Sequence, residues 1–160
     1  MWSRRAALAA LAALAACGFE PVYGPGGGGA ALRGTIRATE PDTDLTFAFV
    51  RQLEERIGRP ESPRYDLDYT IETVTDSLAI DGSNNITRFN IEGALVWRLV
   101  PVGATVPVLS GREAAFTAYS ATGSTISTLE SERDATRRLA VILADKVVTR
   151  LLAEASGLTP

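Results

Sequence analysis

Tyr65-Asp66-Leu67-Asp68-Tyr69-Thr70-Ile71-Glu72 is the stretch that decides the fold. Tyr65, Leu67, Tyr69 and Ile71 alternate strictly with Asp66, Asp68, Thr70 and Glu72. A period of two places one set on a core and the other on the open face of a strand. Past Glu72 the phase slips, because the next apolar residues are Val74, Leu78 and Ile80, and a bulge near Thr73 is expected. Asp81-Gly82-Ser83-Asn84-Asn85 is turn chemistry. Phe89, Ile91, Gly93, Leu95, Trp97 and Leu99 then alternate with Arg88, Asn90, Glu92, Ala94, Val96 and Arg98. Two long strands joined by a polar turn predict a hairpin.

Upstream, Leu32 to Thr39 also alternates and predicts a strand that Pro41 ends. Asp42 or Thr43 caps a helix to about Ile57. Its face holds Phe49, Val50, Leu53 and Ile57, with Phe47 near the edge, and Gly58 and Pro60 stop it. Downstream, Pro101 to Pro107 makes a turn region and Arg112 to Ser120 a further strand. Ser120 to Thr128 reads as a loop. Ser127 and Glu130 form a capping box that opens a long helix to about Ala155. Leu139, Ile142, Leu143, Val147, Leu151 and Leu152 give that helix its apolar face, and Gly157 ends it.

The order is strand, helix, strand, strand, strand, helix. This predicts an α+β fold, a four-stranded mixed sheet with two helices packed on one face. The other face carries Asp66, Asp68, Glu72, Arg88, Glu92 and Arg98 and lies against water or a partner.

The first residues tell a separate story. Arg4 and Arg5 precede an apolar run, Ala6 to Ala16, that is too short to span a bilayer, which needs about 20 residues. This is the layout of a secretory signal peptide. Leu14-Ala15-Ala16-Cys17 resembles the lipobox of bacterial lipoproteins. That resemblance implies cleavage before Cys17, a diacylglycerol on its sulfur and an N-acyl chain on its new amine. The other reading of Cys17 is an unmodified buried thiol. The expected organisation is a signal peptide at 1–16, a lipidated N-terminus and Gly-rich tether at 17–31, and an α/β domain at 32–157. One chain alone anchors only marginally, so two or three on Cys17 would form the whole anchor.

Composition narrows the function. Removal of sixteen residues from 160 leaves 144, enough for one domain with a real core. The cut also removes two arginines, so the formal charge of −3 becomes −5. That balance argues against nucleic acid as a partner. There is no histidine and one cysteine, which removes the commonest general base and Cys/His zinc sites. Asp66, Asp68 and Glu72 share a strand face and imitate an acid/base or metal cluster. No helper group stands at an informative spacing, so they read as a solvated or partner-facing surface, and no metal is expected. Asp81 to Asn85 lacks the closing glutamate of a calcium loop. Arg133, Arg137 and Arg138 read as solvated helix charges or as a contact for anionic headgroups, which guanidinium suits.

Cys17-Gly18-Phe19-Glu20-Pro21-Val22-Tyr23-Gly24, the element order and the closing helix from Glu132 to Leu152 together resemble the LptE family of lipopolysaccharide-assembly lipoproteins. The resemblance implies a non-enzymatic lipoprotein at the periplasmic face of the outer membrane, with no cofactor beyond the lipid on Cys17. It implies a plug inside the large β-barrel LptD, which it helps to assemble for lipopolysaccharide delivery to the outer leaflet. It also implies two helices on a four-stranded sheet. Gly18, rather than aspartate, fits transport to the outer membrane. Family members are thought to touch lipopolysaccharide through basic residues near the hairpin tip. The tip here has none, so Arg88 and Arg133 are the candidate lipopolysaccharide contacts. The alternative reading is an auxiliary lipoprotein subunit of an envelope lipid-transport ABC system. An enzyme using Asp66 or Asp68 ranks third.

Overall fold

The structure is a computed structural model that describes residue 24, residues 28–80 and residues 86–158. Cys17 and the tip Asp81 to Asn85 lie outside the described residues. Its elements are α1 (Gly28–Leu32), β1 (Ile36–Ala38), α2 (Asp44–Ile57), β2 (Tyr65–Ile80), β3 (Ile86–Pro101), β4 (Leu109–Ser120), α3 (Thr125–Ala153) and α4 (Ala155–Leu158). The sheet runs β1-β2-β3-β4. β1 is parallel to β2, and the other pairs are antiparallel. The expected α+β class, with a mixed sheet under two long helices, is what forms.

Alternation explains the layers. Tyr65, Leu67, Ile91, Leu95, Trp97, Leu99 and Tyr119 are buried on one sheet face. They meet Phe49, Leu53 and Ile57 of α2 and Leu139, Leu143, Val147 and Leu151 of α3. Burying each of these large side chains contributes roughly 1.5–3 kcal/mol. Thr117 is the polar exception in this layer, and its hydroxyl donates to the Ala135 carbonyl at 3.0 Å.

α2 begins where a reciprocal cap satisfies its first amides. The Thr43 hydroxyl accepts from the Thr46 amide at 3.2 Å, and the Thr46 hydroxyl accepts from the Thr43 amide at 2.9 Å. Two hydroxyls therefore do the work usually shared between Ser/Thr and Glu. At the other end the Gly58 amide donates to the Glu54 carbonyl at 2.8 Å.

Four boundaries differ from the pattern reading. The alternation at Leu32 to Thr35 is not strand: Leu32 closes α1, and only Ile36 to Ala38 pair. Gly34 turns the chain with φ +68°, and its amide reaches the Ile57 carbonyl at 2.8 Å. An L side chain disfavours that backbone angle. No bulge occurs at Thr73, because register runs unbroken from Tyr65 opposite Pro101 to Ser77 opposite Phe89. The irregularity lies between Ser77 and Ile80. The phase slip has another cause: Thr73 to Leu78 are exposed on both faces, so no core selects which side is apolar. The long helix opens at Thr125 with Ser124 as its cap, not at Ser127, and the strand before it starts at Leu109. It ends at Ala153, and Gly157 lies inside α4.

Candidate functional site

α2 and α3 start at the same end of the molecule. Gln52 and Arg56, late in α2, bond Asp145, late in α3, both at 3.0 Å. Arg51 and Phe47 of α2 line a groove with Leu129, Glu132, Arg133 and Arg137 of α3. At this end the hairpin overhangs α2. Each of its strands has 16 residues, roughly 54 Å of β-structure, against about 21 Å for the 14-residue α2.

The groove between the two helix starts encloses about 640 Å³. Its walls carry Phe47, which is 58% exposed, and Leu129, beside the guanidinium groups of Arg51, Arg133 and Arg137. Each arginine has a partner on its own helix: Arg51 pairs with Glu55 at 3.6 Å, Arg133 with Glu130 at 2.8 Å and Arg137 with Asp134 at 3.7 Å. Surface pairs of this kind are held weakly and exchange readily for a better anion. A second hollow, of about 610 Å³, lies between the helix starts and β2, under Tyr69 and Thr73. Glu132 and Thr136 line both hollows.

Two tyrosines mark this end electrostatically. Burial, then the Asp42 carboxylate, pushes the Tyr69 hydroxyl above the usual tyrosine value, with a partial offset from a hydrogen bond to Thr46. Burial, then Glu132, does the same to Tyr119. Tyr69 packs on Phe49 with ring centroids 4.7 Å apart, and Tyr119 stacks on Phe89 at 5.2 Å. Both phenols stay neutral at ordinary pH.

The open sheet face is a ladder of mixed chemistry. Arg37 bonds Asp66 at 2.7 Å and Arg98 meets Asp68 at 3.3 Å. Asp66 and Asp68 are thus neutralised by guanidinium groups on flanking strands. Among the described residues no group of three or more His, Cys, Asp and Glu stands close enough to hold a metal. Further along, Val74, Glu92 and Phe116 are in register across three strands, and Phe116 is 70% exposed.

The two candidate lipid contacts do not form one site. Arg88 stands opposite Ser120 on β3. Alternation puts it with Asn90 and Glu92 on the open face. Arg133 lies in the helix groove on the other side of the sheet. The pattern reading missed the groove itself. Its one available signal was Phe47, two residues and so about 200° round α2 from the buried Phe49. A large aromatic on the wet side of an amphipathic helix marks a surface with a use.

The family model described as LptE, lipopolysaccharide-assembly, matches residues 34–151. Among solved structures, the chain is similar to a Caulobacter crescentus CB15 chain described as a lipoprotein. The TM-score is 0.69 at 20% identity, covering 83% of this chain and 98% of that one. Rare lipoprotein B from Shewanella oneidensis gives 0.58 at 9% identity, over 78% and 96% of the two chains. A minor lipoprotein from Acinetobacter baumannii gives 0.54 at 12% identity, over 75% and 90%. At these identities the structural likenesses speak to the fold. No match was found among curated protein sequences.

Proposed function

Because this chain belongs to the LptE family of lipopolysaccharide-assembly lipoproteins, we propose that it acts as the plug and assembly factor of an LptD-type β-barrel in the outer membrane. The single observation that carries this is the family match, which spans residues 34–151 and so includes every strand of the described residues, all of α2 and α3 up to Leu151. The family is one of envelope assembly, not catalysis. The chain has no histidine for acid–base work, and two of its strand carboxylates, Asp66 and Asp68, are paired with Arg37 and Arg98.

A plug must present polar surface to a barrel interior, which is itself polar. The open sheet face, with its Arg–Asp pairs, suits that task. The lipid on Cys17 would hold the domain at the periplasmic face of the outer membrane. Lipopolysaccharide, an anionic amphiphile, would meet guanidinium groups such as Arg88 and Arg133 beside exposed apolar side chains.

The test is capture of the tagged full-length chain from detergent-solubilised outer membranes, with partners identified by mass. A stoichiometric large β-barrel is the expected result. Recovery of ABC-transport components without a barrel overturns the reading in favour of an auxiliary transport subunit.

A further inference from the structure

The turn between β3 and β4 is apolar and exposed. Val102, Val106 and Val108 are 50%, 72% and 49% exposed. From Leu99 to Gly111 the chain carries no charged side chain. Soluble turns are ordinarily polar, and three exposed valines in seven residues have no packing role to explain them.

This turn lies where the chain enters the domain. The Arg64 amide donates to the Thr35 carbonyl at 2.7 Å, and the Val102 amide donates to the Arg64 carbonyl at 2.9 Å. Thr35 lies three residues past the end of α1, whose Gly29 and Leu32 are buried. The Tyr65 hydroxyl, next to Arg64, donates to the Leu158 carbonyl of α4. α1, α4 and the apolar turn therefore occupy one end, and the helix starts with their groove occupy the other. Arg33, Arg59 and Arg64 are exposed around this entry end, with Glu61 exposed among them and Arg59 paired to Glu54 at 3.5 Å. Exposed apolar side chains at an end that also carries arginines match the chemistry of a bilayer interface with anionic headgroups.

We propose that, while the domain is not yet seated in a barrel, the β3–β4 turn dips into the lipid surface and, with the acylated Cys17, sets the domain's orientation on the membrane. Ten residues separate Cys17 from Gly28, and the eleven steps between them reach at most about 40 Å. A tether alone leaves the domain free to tumble. Two contacts at one end hold it upright, with the groove facing away from that leaflet. The inference rests on the lipid-anchor reading above.

The test uses the full-length acylated protein in phosphatidylethanolamine–phosphatidylglycerol vesicles. Acylation blocks Cys17, so Val106→Cys or Val102→Cys supplies the one thiol for an environment-sensitive fluorophore, and Ile126→Cys is the control at the far end. The expected result is a severalfold rise in emission at 106 and 102, quenched by lipids labelled in the upper acyl region, and no change at 126. Water-like emission at all three positions, or lipid contact at 126, overturns the proposal. Intact mass of the same sample reports the acyl groups independently. A wet turn on an acylated protein removes the inference and leaves the anchor, whereas a missing acyl mass removes both.

Discussion

Gly93 of β3 lies directly under Leu139 of α3: a Cβ on residue 93 would stand 3.0 Å from Leu139 Cδ2 and 3.2 Å from Leu143 Cδ1. The missing side chain lets the long helix settle onto the sheet, and both leucines are fully buried. Gly93→Val places two further methyl groups in that seat. We expect a loss of about 1–3 kcal/mol, the usual cost of overpacking, read from the urea unfolding midpoint. A stability equal to the parent's would mean that α3 rides higher than described.

The start of α3 offers a sharper test of a local feature. The Ser124 hydroxyl accepts from the Ser127 amide at 3.3 Å, which makes Ser124 the cap. Ser124→Ala is expected to cost about 1 kcal/mol. Ser127→Ala is expected to stay within about 0.5 kcal/mol of the parent, as surface changes do. The reverse order would restore the capping box at Ser127.

β4 is an edge strand whose outward carbonyls are covered by cations from α3. Lys146 donates to Ala114 at 2.6 Å and Arg138 to Ala118 at 3.1 Å. An uncovered edge pairs with other chains. The double variant Arg138→Ala, Lys146→Ala is therefore expected to self-associate more than the parent as concentration rises, measured by light scattering. Unchanged scattering would deny the cover this protective role.

Alkaline stability follows from the two tyrosines. Their hydroxyls hold the proton above the usual value of 10.0 in the folded state. The unfolded chain loses its protons first as pH rises through about 10, so the contribution is complete below that pH and is lost on going higher. The unfolding midpoint is expected to fall above pH ~10. Tyr69→Phe should lessen that fall, and phenolate absorbance should show late-titrating groups.

How much of this was legible beforehand depends on what each pattern had to match. Tyr65 to Ile71 and Phe89 to Leu99 were readable because each strand lies against a helix layer that accepts apolar side chains on one face only. α2 was readable for the same reason, and its cap at Thr43 was among the residues proposed. Val74 and Leu78 misled because both stay exposed, 59% and 57%, so no core contact ties their placement to the register. Leu32 to Thr35 misled because four residues alternate as easily in a helix end and a glycine turn as in a strand.

The candidate sites divide in the same way. Arg88 and Arg133 were selected for their charge, which is a local property. Nothing local states that one lies on the open sheet face and the other in a groove on the helix face. The groove brings Phe47 and Arg51 to Leu129 and Arg133, across about 80 residues of chain. The nearness of Thr35, Arg64 and Val102 is of the same kind.

By itself the sequence determined the class of fold, the element order and the paucity of catalytic groups, because periodicity and composition are written residue by residue. The tertiary structure alone decided which ends meet. The antiparallel register of β2 with β3 and the side-by-side run of α2 and α3 gather distant segments into one groove and one apolar turn. That gathering is set by where two faces find a common core to bury, a condition no single stretch of chain contains.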